Sequence, residues 1–323
     1  MAQRSLGWSG WWLTGPLTWL LAGCVSPTSM DVSRLADYRA QSSLPQQVEL
    51  VNVPFYPQDD FQCGPSSLAM VLSHAGILRS PQLLEDEVYL PQRQGSLQLE
   101  MLGATRRAGA LPYVLQPQAQ ALMAELAAGH PVVVLQNLRF NALPLWHYAV
   151  VVGYDLNAGT MLLRSGDQKR QVMSVEDFDR SWARAQRWAF VALRTDTLPA
   201  TARATDYVAS AITLERVAPV QAQQAYQTAL KAWPTHLPAL MASGNASYRQ
   251  HALADARAAY TQATLHHPQA GDAWNNLAQV LHEMGQTAAA NEAALRAVAL
   301  GGPHAQTYQN TLNNLRKTQK STP

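Results

Sequence analysis

Cys63 stands in the run Gln62-Cys63-Gly64-Pro65-Ser66-Ser67-Leu68 and is one of only two cysteines in 323 residues. The residues after it read as a helix: Leu68, Val71, Leu72 and Ala75 share one face, and Gly76 is the stop. A helix N-terminus and a nearby imidazolium both stabilise a thiolate and lower a thiol pKa from its ordinary value of about 8.5. Gly64 permits close backbone approach beside the sulfur. Downstream, His147 opens a β-rich run, Tyr148–Tyr154, and is the candidate base that would take and return the thiol proton. His74 lies too far along the Cys63 helix, about 16 Å by helical rise. His130 follows a helix stop. The chemistry implied is acyl transfer through a thioester. The plainer alternatives are Cys63 as a small buried hydrophobe and His147 as a core residue.

The elements that would position this pair alternate in type. Val48–Phe55 reads as extended, Gly64–Ala75 as a helix, and Ser80-Pro81 and Ser96 as further helix starts. A helix at 118–128 ends at Gly129. Strands are expected at Pro131–Gln136, Tyr148–Tyr154, Met161–Arg164, Arg170–Met173 and Trp188–Leu193, with Ser174 capping a short helix between the last two. Helices first and an antiparallel sheet after them is an α+β pattern.

This order is similar to a papain-like cysteine peptidase fold. The runs Pro54-Phe55-Tyr56-Pro57-Gln58, Gln62-Cys63-Gly64-Pro65 and Trp146-His147-Tyr148-Ala149-Val150-Val151-Val152-Gly153-Tyr154 resemble the bacteriocin-processing, double-glycine peptidase family over about residues 48–194. The resemblance implies a peptidase that cuts after small residues such as Gly-Gly. It also implies a Gln oxyanion donor six residues before the Cys. Here Pro57 holds that position, Gln58 is the candidate, and Gln62 is the fallback. The main-chain N–H of Cys63 would be the second donor. The family's orienting Asp, often in Asp-Pro, is absent from the aligned position, where Ser165 stands. If Asp155 pairs with Gly159 across the hairpin, His147 faces Asp167; a slip of one residue brings Gln168 opposite instead. Asp167 is therefore the expected third member, with Ser165 as the alternative.

The remainder of the chain frames this domain. Arg4 precedes an apolar stretch, Trp8–Ala22, too short to be a good membrane-spanning helix, that ends in Leu21-Ala22-Gly23-Cys24. The tetrad resembles the bacterial lipoprotein box, in which the Cys becomes the lipidated first residue. The implied order is a signal peptide at 1–23, then lipid on Cys24 and a tether at 24–47, in which 31–40 could make a helix. Val25 favours an outer-membrane destination facing the periplasm. Lipidation of Cys24 would leave Cys63 without an intrachain partner. Residues 203–317 show a 34-residue period: Ala222, Ala256 and Ala290; Ala229, Ala263 and Ala297; Tyr226 and Tyr260; Pro234 and Pro268. That period resembles the tetratricopeptide repeat (TPR). Three units are expected, at 203–236, 237–270 and 271–304, with a capping helix at 305–317.

The fold class expected is thus an α+β papain-like peptidase domain at 48–194, a linker at 195–202, and an all-α TPR-like helical repeat domain. The partners implied are a protein or peptide substrate, a protein on the repeat surface, and a membrane reached through the lipid. A net charge of +2 without a basic block favours no nucleic acid. No His-Glu-x-x-His, Cys-x-x-Cys or phosphate loop is present, so no metal or cofactor is expected. The competing functions are a catalytically silent scaffold and an amidase or transglutaminase-type acyl transferase that uses the same Cys–His pair.

Overall fold

The computed structural model describes residues 44–58 and 61–320. The expected signal peptide, Cys24, the expected 31–40 helix and most of the expected tether lie outside these residues. Nine strands, twelve α-helices and one 3-10 turn are described, and no helix among them is long and apolar enough to cross a membrane.

The centre is an antiparallel sheet. Its strands are β1 (Gln47–Glu49), β4 (Leu111–Val114), β5 (Val132–Asn137), β6 (Trp146–Asp155), β7 (Thr160–Ser165), β8 (Gln168–Ser174) and β9 (Ala189–Leu193), in the order β4-β9-β5-β6-β7-β8, with β1 also on β6. A separate hairpin joins β2 (Tyr89–Leu90) to β3 (Gly95–Ser96). Successive strand side chains point to opposite faces, so the uncharged run of β6 fills two cores. Tyr148, Val150 and Val152 meet α1 (Cys63–His74), α2 (Pro81–Val88) and α3 (Gln98–Arg107). Ala149 and Val151 face the core containing α4 (Ala119–Ala127) and α5 (Val175–Ala183).

Most expected elements form near their expected bounds. Ser80 caps α2 by accepting from the Leu83 amide, and Ser174 caps α5 by accepting from Asp177. Ser96 does not start a helix. It lies in β3, and α3 begins two residues later.

The C-terminal region is helical: α6 (Ala204–Ile212), α7 (Pro219–Ala232), α8 (Leu237–Arg249), α9 (Leu253–His266), α10 (Gly271–Glu283), α11 (Thr287–Leu300) and α12 (Ala305–Lys320). The starts of α8, α10 and α12 lie 34 residues apart, as do those of α7, α9 and α11. Small residues set the helix spacing. A Cβ on Gly244 of α8 would come within 2.5 Å of the Tyr260 ring on α9. The first pair is irregular, because α6 has 9 residues where α8 and α10 have 13.

Residues 195–202, the expected linker, are tied to the elements on both sides. Thr195 is buried and accepts, at its carbonyl, from Thr228 Oγ1 and the Tyr207 hydroxyl. Buried Glu125 of α4 accepts from Ala200 N (3.0 Å), Thr201 N (2.8 Å), Thr201 Oγ1 (2.6 Å) and His130 Nδ1 (2.7 Å). Burial alone would raise its pKa; the bonds from His130, Thr201 and Ala200 outweigh that and hold it below the usual carboxylate range. Tyr207, Val208, Ala222 and Tyr226 belong to the same core as Leu111, Leu122 and Val134. The helical region is therefore continuous with the sheet domain. Replacing Glu125 with Ala strands buried donors and should cost about 3 kcal/mol, read as a lower urea midpoint. An unchanged midpoint would show that the strap does not fasten the two regions.

Candidate active site

Cys63 is the first residue of α1. Its N-cap, Gln62, makes no side-chain cap, and Pro65 has no N–H, which leaves the amides of Cys63 and Gly64 directed to the sulfur. A Cβ on Gly64 would come within 2.2 Å of Ser96 Oγ. Gly64 is thus needed for the close seating of β3 on the helix start.

A break in the sheet exposes the other half of the site. β6 pairs with β7 from Asp155↔Thr160 to Gly153↔Leu162, then shifts at a bulge before Val151↔Leu163 and Val150↔Arg164. The pairing starts one residue off the expected register, and the bulge removes the slip. Beyond Val150 the main chain of β6 has no β7 partner. Tyr148 turns its amide to the Cys63 sulfur and its carbonyl to Gln58 Nε2 at 3.4 Å.

His147 Nε2 lies 2.9 Å from Ser165 Oγ. Ser165, next along β7 from Arg164, is a diagonal neighbour of His147 on the same face. Asp167 is not the partner. Ser165 pairs with Gln168, the chain reverses at Gly166 (φ +58°), and Asp167 lies exposed in that turn. With Nε2 engaged, Nδ1 is the nitrogen left for proton exchange with the thiol. The other two histidines of the sheet domain are taken: His74 Nε2 is 3.0 Å from the Gly129 carbonyl, and His130 bonds Glu125.

Gln58 sits in the site as a brace. Its Nε2 donates to Ser67 Oγ (3.1 Å) and Tyr148 O, its Oε1 accepts from Gly166 N (2.9 Å), and its own N–H donates to Gly166 O (3.0 Å). Both amide hydrogens are therefore engaged. Gln62 points away and donates to Glu85.

Burial dominates the electrostatics. It pushes the Cys63 thiol up, against the opposing bonds from the amides of Tyr148, Gly64 and Cys63. It pushes His147 down to about 4. The expected low-pKa thiolate paired with an imidazolium is thus replaced by a neutral thiol and a neutral imidazole.

Cys63, His147 and Gln58 line one cavity of about 810 Å³. Phe61, Gln94 and Gln186 on its wall all have positive φ, as do only two other non-glycine residues among those described. Strained backbone gathers at this site, as it does at many functional sites. No cluster of metal-ligating side chains is found among the described residues.

Comparison with known proteins gives a family match over the sheet domain. Residues 50–190 match the Peptidase_C39 like family. This C39-like domain, with its antiparallel sheet, points to a cysteine peptidase. Among solved structures, a protein described as a C39-like peptidase from Bacillus anthracis is 19% identical over 46% of this chain and 97% of its own, with a TM-score of 0.39. The peptidase domain of Streptococcus ComA, a bi-functional ABC transporter of a quorum-sensing pathway, is 24% identical over 44% and 99%, with a TM-score of 0.37. MamA is 18% identical over 35% and 68%, with a TM-score of 0.32. None reaches 0.5, so the family match is the finding that bears on function. No curated protein matches the chain.

The roles of Ser165 and Asp167 separate by mutation. One neutral hydrogen bond to the base contributes about 1 kcal/mol, or roughly fivefold to tenfold in rate. Ser165→Ala should lower kcat by about that factor with KM little changed, and Asp167→Ala should leave kcat unchanged. The reverse pattern would return the orienting role to Asp167.

Proposed function

We propose that the protein is a cysteine peptidase that hydrolyses a peptide bond through an acyl-enzyme at Cys63. The observation that carries this reading is the thiol at the head of α1 sharing a cavity with His147, whose far nitrogen is held by Ser165. His147 Nδ1 takes the thiol proton as sulfur attacks the scissile carbonyl carbon. The oxyanion is met by the Cys63 N–H and by Gln58, which exchanges its long 3.4 Å bond to Tyr148 O for the developing charge. The C–N bond breaks as the proton passes from His147 to the leaving amine. Water, deprotonated by His147, then cleaves the thioester and restores the thiol.

The full proposal places the enzyme on a membrane. Lipid on Cys24 would anchor it to the outer membrane facing the periplasm, and the TPR-like helix pairs would hold a protein substrate or partner. Two observations favour a second reading, a silent scaffold: the engaged Gln58 amide and the raised thiol pKa.

Comparing new protein N-termini in cells that carry wild type or Cys63→Ala decides between them. A set of cuts that vanishes with Cys63→Ala is the expected result. No difference sinks the peptidase; a thiol that still reacts with iodoacetamide would then leave the acyl-transferase reading. For the hydrolytic rate, His147 is a base only when neutral. Activity should therefore fall as pH drops through about 4, not through the ordinary histidine value near 6.5. An acid limb near 6.5 would refute the neutral resting pair.

A further inference from the structure

Beside the thiol lies a surface that the acyl-transfer chemistry does not use. The loop from β5 to β6, residues 138–145, raises Leu138, Phe140, Leu143 and Leu145 into solvent, at 44%, 73%, 64% and 44% exposure. The loop is not slack. Asn137, buried at its base, accepts at Oδ1 from the amides of Arg139 (3.1 Å) and Leu145 (3.0 Å). The apolar side chains are thus held outward by a buried polar clamp. Leu138, Leu145 and the half-exposed Trp146 continue into the wall of the Cys63 cavity.

Gly95, Ser96 and Leu97 also line this cavity. β3 pairs only with β2 among the described strands, which leaves one edge with main-chain groups and no strand partner. An extended polypeptide satisfies both features at once: its main chain has an open edge, and its side chains have an apolar wall. A bilayer or a second copy would cover the loop but would not account for an open edge continuous with a nucleophile.

We propose that the ligand of this cavity is an extended polypeptide bearing bulky apolar side chains, seated between β3 and the β5–β6 loop. This specificity differs from the small Gly-Gly residues that the family resemblance implies. The inference rests on the peptidase reading for what happens at the thiol, and not for the binding.

The test uses the full chain carrying Cys63→Ala, so that binding is measured whether or not the wild type hydrolyses. Two fluorescent nonapeptides of equal charge are titrated by anisotropy, one with Leu-Phe-Leu at its centre and one with Gly-Gly-Ser. The apolar peptide should bind at least about tenfold tighter, which is the factor given by 1.4 kcal/mol of apolar burial. Leu138→Ser with Leu145→Ser should reduce the preference to less than about threefold. Phe140→Ser, at a side chain too exposed to support the fold, should weaken the apolar peptide alone. Leu99→Ser, exposed at 74% and not lining the cavity, should change nothing. Equal binding of the two peptides, or a preference that survives the loop variants, overturns the proposal. So does equal peptide binding combined with loop-dependent attachment to phosphatidylglycerol vesicles or loop-dependent dimerisation. Apolar-selective binding with no hydrolysis by wild type would leave this inference standing and refute the peptidase.

Discussion

The site depends on where β7 stops pairing with β6. Up to Val150↔Arg164 the two strands satisfy each other; past it, the N–H and C=O of Tyr148 have no strand to bond. Buried main-chain groups must find partners. The sulfur of Cys63 takes the amide and Gln58 takes the carbonyl, so both are positioned by a ladder left unfinished. The bulge between Val151 and Gly153 sets this end point, because it restores the alignment that brings Ser165 within reach of His147. One extra residue in β6 thereby fixes three groups of the candidate site.

A desolvated site of this kind has a thermodynamic direction. Removing water disfavours the charged form of any group without strong compensation. Cys63 has three amide donors and still shifts upward; His147 has only a neutral hydroxyl and shifts down. An Asp in place of Ser165 would support a positive ring. A serine does not, and the resting pair stays uncharged. In the proposed reaction charge would develop only during attack, where oriented N–H groups would act on it without solvent reorganisation.

Much of the fold was legible because it is written in period. The β-rich run Tyr148–Tyr154 and the 34-residue spacing both appear as regular structure at the expected places. Cys63 and His147 were legible through residue type and context. The third group was not, because hairpin counting carries β7 on past Ser165, whereas the chain turns at Gly166 and leaves Asp167 outside the strand. The aligned Ser165 was the available signal. Gln58 was found by position, but its bracing role depends on Gly166, 108 residues away. Ser96 misled because a helix-capping residue type also fits a strand beside a glycine. The segment at 195–202 reads as a linker from its Pro and Thr content. Its contacts with Glu125, Tyr207 and Thr228, on three separate helices, make it firm.

That firmness has a geometric outcome. Because α6, α7 and α8 share one core with the sheet, the span from the start of the helical region to the thiol is a fixed length, not an average over tethered motion. The chain then works as a caliper. Its reach can change only in whole steps, by gaining or losing a 34-residue pair at the end away from the sheet. Insertions near Thr195 would instead break the core that sets the scale.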